Sequence, residues 1–195
     1  EKSRFYGEFL MKEWNEITVM LRMTKDEAIT HLEQIGFQHD ITYNISDRYF
    51  LPHKADRSVD TLTLLNDMVL IRQFNDAVKL TIKHKVYAPD GTILSQSNTE
   101  LQVESGSAAE SFLKALGYEE VMQIQDEACI MKKDGLGFVI EDVNNGTWLM
   151  LEIEENERYQ GIGLLQEKLR ESGLPYDDSD YFVKKAQLVY ERLSR

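Results

Sequence analysis

The order strand, helix, glycine plus aromatic, strand, hairpin occurs twice in this chain, and that repetition limits the fold more than any single motif. In the first copy Glu16-Ile17-Thr18-Val19-Met20-Leu21-Arg22 alternates, with Ile17, Val19 and Leu21 on one face, as a half-buried strand does. Thr24 then reads as a helix N-cap with Glu27 completing a capping box, and Ala28, Ile29, Leu32 and Ile35 recur at helical spacing up to Gly36-Phe37. In the second copy Glu100-Leu101-Gln102-Val103-Glu104 alternates, Ser107 is the expected cap, and Ala109, Phe112, Leu113 and Leu116 lead to Gly117-Tyr118. Ile45 to Leu51 then resembles Ile124 to Ile130 at nearly the same distance from each glycine. A strand pair follows each: Met68 to Phe74 with Val78 to Tyr87 around Asn75-Asp76, and Phe138 to Val143 with Trp148 to Glu154 around Asn144-Asn145-Gly146.

Together with a strand from Thr92 into Val103, this makes about eight mostly antiparallel strands, too few copies and too long a period for a solenoid. Two fused halves closing one sheet on itself is the economical solution, so the sequence predicts an α+β domain: a closed eight-stranded antiparallel β-barrel with helices packed outside. Residues 1 to 14 read as an N-terminal extension and 15 to 195 as a single domain. Two further helices are expected near the end, Tyr159 to Glu171 and Asp180 to Ser194, covering one outer face.

The sheet's alternation says where chemistry can sit. With helices outside, the apolar residues of each strand point outward and the alternate set points in: Glu16, Thr18, Met20 and Arg22; Leu70 and Arg72; Lys79, Thr81, Lys83 and Lys85; Glu100, Gln102 and Glu104; Gln125 and Glu127; Glu141; Met150, Glu152 and Glu154. So many ionisable groups cannot be buried dry, because an unpaired buried charge costs several kcal/mol, on the order of a large mutation's whole effect. The interior should therefore be a watered channel of paired acids and bases, suited to a metal-bound, highly charged ligand. The alternative is an open sheet whose charged face meets solvent.

Composition narrows the partners. A formal charge of −12 argues against a broad electrostatic grip on nucleic acid or anionic lipid, yet a few inward cations can still hold a small anion. No apolar run of about 18 residues occurs and the N-terminus lacks a signal-peptide core, so no membrane crossing is expected and a cytoplasmic location follows. Cys129 stands alone, the four histidines show no ligating spacing, and no P-loop, dinucleotide fingerprint or nucleophile motif is present.

In their order these residues resemble the CYTH, or triphosphate-tunnel, family. Glu16 to Arg22 falls where that family carries Glu-x-Glu-x-Lys, and Asp47-Arg48-Tyr49-Phe50 resembles Asp-x-Tyr-Phe-Asp. Leu70-Ile71-Arg72 resembles Arg-x-Arg, Leu80-Thr81-Ile82-Lys83 resembles Leu-Thr-Leu-Lys, Trp148 to Glu152 resembles the aromatic strand leading to Glu-x-Glu, and Asp180-Tyr181 resembles Ser-Tyr before the last helix. The resemblance covers roughly residues 15 to 190. It implies an eight-stranded tunnel that binds triphosphate-bearing substrates with Mg²⁺ or Mn²⁺, as in inorganic triphosphatases, thiamine triphosphatases and class IV adenylate cyclases. It further implies that Arg72 and Lys83 hold phosphate oxygens while Glu16, Glu152 and Glu100 coordinate metal, since Mg²⁺ prefers hard oxygen ligands. The inward parity adds Lys79, Lys85 and Arg22 to the basic set and Glu154 to the acidic one.

Five family positions are changed: Thr18, Met20, Leu70, Gln125 and Met150 stand where charged residues belong. A charge-assisted hydrogen bond to phosphate contributes roughly 1.5 to 3 kcal/mol, so losing two or three cations weakens triphosphate binding by about 10³-fold. The expected function is a metal-dependent phosphohydrolase with an eroded site, acting on a small phosphate-containing ligand as a monomer or homodimer. The alternatives are a non-catalytic binding module that kept the tunnel and changed its ligand and, ranked last, an adenylate cyclase.

Overall fold

Thr24 accepts a hydrogen bond from the Glu27 amide while Glu27 bonds back to the Thr24 amide, so the first helix begins at the capping box that the sequence carries. Ser105, two residues earlier than expected, caps the equivalent helix of the second copy. The computed structural model describes residues 14–193; the expected extension therefore lies almost wholly outside the described residues. The elements run β1 (Glu16–Met20), α1 (Lys25–Gln34), β2 (Gln38–Pro52), α2 (Thr61–Leu65), β3 (Val69–Phe74), β4 (Ala77–Tyr87), β5 (Ile93–Val103), α3 (Gly106–Ala115), β6 (Tyr118–Lys133), β7 (Leu136–Val143), β8 (Trp148–Glu154), α4 (Ile162–Ser172) and α5 (Lys185–Leu193). No described helix is long and apolar enough to cross a membrane.

All eight strands form one antiparallel sheet in the order β1-β8-β7-β6-β2-β3-β4-β5. That order is the repeat made visible. Two long strands, β2 and β6, pair down the middle, each carries its own hairpin outward, and each copy's first strand closes the other copy's hairpin.

The sheet curls strongly but does not close, which corrects the expected barrel. β1 and β5 are its two ends, and the free edge of β1 is occupied by a strap made of residues 175–183. Thr18 N–H donates to Tyr181 O (2.9 Å), Val183 N–H to Thr18 O (3.0 Å), Asp177 N–H to Met20 O (2.9 Å) and Arg22 N–H to Pro175 O (2.9 Å). With those groups taken, β5 has no ladder to join. It touches β1's start through Ile93 N–H and Asn15 Oδ1 (2.8 Å). Side chains meet at the seam: Gly91, at φ +92°, lets Phe182 pack so close that an added Cβ would lie 2.6 Å from Phe182 Cβ.

The outward parity of β1, β4, β7 and β8 is as read from the sequence. Ile17, Val19, Ile140, Leu151 and Ile153 pack outside against α1 and α4, whose Leu32, Leu165 and Leu169 are fully buried, each contributing about 1.5 to 3 kcal/mol. α3 covers Phe50, Val69 and Ile71 on the other outer flank. The last helix departs from expectation: α5 does not lie outside. Its Val189 packs with Tyr49, Leu51, Leu70, Met122, Ile124 and Met150, the inward residues of one end of the curl, together with Leu64 of α2. α5 thus stoppers one end of the trough.

Candidate functional site

The trough has a basic wall and an acidic wall. β3 and β4 point Arg72, Lys79, Lys83 and Lys85 inward, while β1, β7 and β8 point Glu16, Glu141, Glu152 and Glu154 toward them. Most of these charges meet across the trough or along a wall. Arg72 donates two bonds to Asp47 of β2, at 2.7 and 2.6 Å, a bidentate pair in which the aspartate is almost fully buried. Burial opposes the Arg72 charge, but Asp47 more than offsets it and holds the guanidinium protonated. Lys85 meets Glu16 at 3.2 Å, and here too burial is outweighed by the carboxylate, leaving the ammonium above its ordinary value. Lys79 pairs with Glu100 at 2.6 Å on the more open β4–β5 side.

Lys185, at the first turn of α5, reaches both Asp126 of β6 and Glu141 of β7, at 2.5 and 2.9 Å. Its neighbour Lys184 lies 4.5 Å from the Tyr87 ring centroid and 5.7 Å from that of Phe182, and burial lowers its ammonium. Neither lysine was foreseen as a site residue. Their signal was present, because Val183, Ala186 and Val189 form the apolar stripe that turns α5 inward and brings the preceding Lys184-Lys185 with it.

Lys83 and Glu152 are half-buried inward groups with no ion-pair or hydrogen-bond partner among the described residues; Glu154, which likewise has none, is exposed. Burial, aided by the Arg72, Lys85 and Lys185 charges, pushes the Lys83 ammonium down to about 8. Burial, then Glu16 and Glu141, pushes the Glu152 carboxyl up to about 8. Thr81 Oγ1, on β4 between Lys79 and Lys83, and Asp126 Oδ1 are buried with no protein partner.

Four residues expected to point inward do not: Gln125, Glu127, Glu104 and Arg22. Gln125 and Glu127 face outward, where Glu127 binds Lys25 of α1 at 2.6 Å, and it is Asp126 between them that enters the trough. Glu104 lies beyond the end of β5. Arg22 stands on the rim, largely exposed, paired with Asp177 of the strap at 3.3 Å. The structure therefore brings Glu16, Glu152, Lys83, Lys85 and Arg72 together, sets Lys79 and Glu100 to the side, leaves Glu154 exposed, and keeps Arg22 apart. As the side chains stand, no group of three or more His, Cys, Asp or Glu among the described residues is arranged around a metal position.

A cavity of about 600 Å³ at the tips of both hairpins is a different place. Its lining is mainly of outward parity, with Ser46, Gln73, Gln125 and Asp142, but it shares Asp126 with the trough.

Solved structures share this architecture. The PH1012 protein of Pyrococcus horikoshii superposes with a TM-score of 0.64 at 18% identity, over 89% of this chain and 98% of that one. A conserved hypothetical protein of Pyrococcus furiosus gives 0.66 at 16% identity, over 91% and 100%. The Hippeastrum protein HpAC1, an adenylyl cyclase candidate with a dominant triphosphatase activity, gives 0.65 at 18% identity, over 92% and 96%. No protein-family model and no functionally curated protein matches the sequence. The alternating charged trough, the two-fold repeat and these superpositions agree: the chain has the CYTH, or triphosphate-tunnel, fold, open along the seam between β1 and β5.

Proposed function

We propose that the trough binds a phosphate-rich ligand of the triphosphate type together with a divalent cation, Mg²⁺ or Mn²⁺, and hydrolyses it. The observation that carries this reading is Lys83, an ammonium on the basic wall, and Glu152, a carboxyl on the acidic wall, each without a partner among the described residues and each within the field of Lys85 and Lys185. Each is costly to bury alone, and a metal-bound phosphate satisfies both at once.

The residues present fit a divalent cation. Glu16 and Glu152 repel one another strongly enough to help raise Glu152, and a hard cation between two such carboxylates relieves that repulsion while taking its other ligands from water and phosphate. The cation would neutralise charge on the phosphate being cleaved. Lys83 and Lys184 would hold phosphate oxygens, and Arg72 would present the outward side of its guanidinium while Asp47 fixes its plane. With its ammonium near 8, Lys83 Nζ is charged at neutral pH and would stay so beside a phosphate, leaving the attacking water to be positioned electrostatically. α5 stoppers one end, so water and ligand enter from the other. The dominant triphosphatase activity of HpAC1, on a similar fold, supports this reading.

The test is phosphate release from tripolyphosphate, ATP and thiamine triphosphate with Mg²⁺ or Mn²⁺. Turnover of at least one, lost in Lys83→Met, is the expected result; no turnover of any removes the hydrolase reading.

One observation favours a second reading, a non-catalytic binding module. Met20, Leu70 and Met150 replace charges with apolar side chains at the stoppered end, where they pack together with α5. Thermal shift separates the readings: stabilisation by metal with tripolyphosphate supports the hydrolase, and stabilisation only by less anionic compounds supports the module.

A further inference from the structure

Lys85 occupies a position between the two halves of the proposed site. Its ammonium lies 3.2 Å from Glu16 Oε1, with Glu152 on the same side, and its charge is felt by Lys83 on the other. Its backbone cannot shift to follow a ligand. The Lys85 N–H donates to Asn66 Oδ1 at 2.9 Å, and Asn66 Nδ2 donates to Lys85 O at 3.1 Å, so one side-chain amide at the end of α2 clamps both backbone polar groups of Lys85. Only the side chain is free to swing, along a wall where the next cation toward the basic side is the unpaired Lys83.

Resting on the metal and phosphate reading of the trough, we infer that Lys85 is a shared counter-ion that couples the two ligands: it neutralises Glu16 until a divalent cation takes that carboxylate, and is then released to the phosphate beside Lys83. Glu16 cannot serve the ammonium and the metal fully at once, because both need the same carboxylate oxygens. Phosphate gains a second cation on β4 only when the metal has arrived. Metal and phosphate binding are therefore mutually favourable through one side chain, and by linkage each tightens the other by the same factor.

The coupling predicts something a merely structural lysine would not. Mn²⁺ affinity is measured without phosphate, by electron paramagnetic resonance, for the unaltered chain, Lys85→Gln and Lys83→Gln. Lys85→Gln should bind Mn²⁺ roughly tenfold more tightly, the effect of freeing a carboxylate from one charged partner. Lys83→Gln removes the same charge but no contact to Glu16 and should change Mn²⁺ affinity far less. Orthophosphate is then titrated with and without Mn²⁺: the unaltered chain gains affinity with the metal, and Lys85→Gln gains clearly less.

Glu16→Gln supplies an independent arm. It releases Lys85 without any metal, so metal-free orthophosphate should bind more tightly than to the unaltered chain. Unchanged or weaker Mn²⁺ binding in Lys85→Gln, or an equal effect in Lys83→Gln, overturns the coupling while leaving the metal site standing. Absence of Mn²⁺ binding in every variant overturns the metal site itself, and the coupling with it.

Discussion

The two hairpins of the trough follow one plan and carry opposite charge. From Asp47 on β2, two residues along to Tyr49, across the ladder to Leu70 and Thr81, and two residues on, the path ends at Lys83. From Asp126 on β6, the same steps pass Ala128, Glu141 and Met150 and end at Glu152. Equivalent positions in the two copies thus hold Lys83 and Glu152, a half-buried ammonium and a half-buried carboxyl without partners among the described residues. A duplicated hairpin that kept one charge pattern on both walls would repel itself across the trough. Divergence to opposite signs lets a strongly charged interior fold without a ligand, and leaves one mismatched pair where a ligand can enter.

That contrast can be broken at its roots. Asp47→Ala strands the half-buried Arg72 guanidinium without its bidentate partner and should destabilise the fold by about 3 to 5 kcal/mol in chemical denaturation. The equivalent Asp126→Ala leaves Lys185 still bound to Glu141 and removes an oxygen that had no partner, so about 1 to 2 kcal/mol is expected. Equal losses would show that the two walls are not organised differently. Between these effects lies Lys83→Met, which should weaken tripolyphosphate binding roughly 10- to 100-fold by calorimetry, while fold stability is kept or improved.

A further contrast lies in the pH dependence of stability, where the two walls should show opposite signs. Glu152 rises from an ordinary 4.5 to about 8 in the fold, so between these values the folded chain holds a proton that the unfolded chain lacks, and stability falls as pH rises. Lys83 drops from 10.5 to about 8, so between about 8 and 10.5 the unfolded chain holds the extra proton and stability rises with pH. Glu152→Gln should flatten the first limb and Lys83→Met the second, read from denaturation midpoints across pH. A profile untouched by either substitution would sink this account of the two walls.

Much of this was legible in the chain. The repeat, the Thr24-Glu27 capping box and the inward parity of β1, β4 and β8 follow from alternation that has a single physical reading. β6 was misread because Gln125, Asp126 and Glu127 are all polar, so alternation gives no phase there. The phase comes from Met122, Ile124 and Ala128, which share a face with Asp126. α5 was misplaced for a related reason. An apolar stripe asks only for an apolar partner, and the inward methionines and leucines at one end of the sheet provide it as well as an outer face would. Closure depends on which edge reaches β1 first, and the strap's backbone bonds to β1 have no side-chain signature beyond Gly91 and Phe182.

The strap and β1 also govern the timing of assembly. β1 joins the sheet through β8, Met20 opposite Met150, and its other edge is taken by residues 175–183. During synthesis β1 must therefore wait without either neighbour until β8 and then residues 175–183 have been made. Such long-range pairing is slow, and in the interval Ile17, Val19 and Leu21 form an apolar, unpaired strand that invites the wrong partner. Residue 91 tolerates no side chain beneath Phe182, so a single added methyl group there would disturb the same seam that defines the open trough.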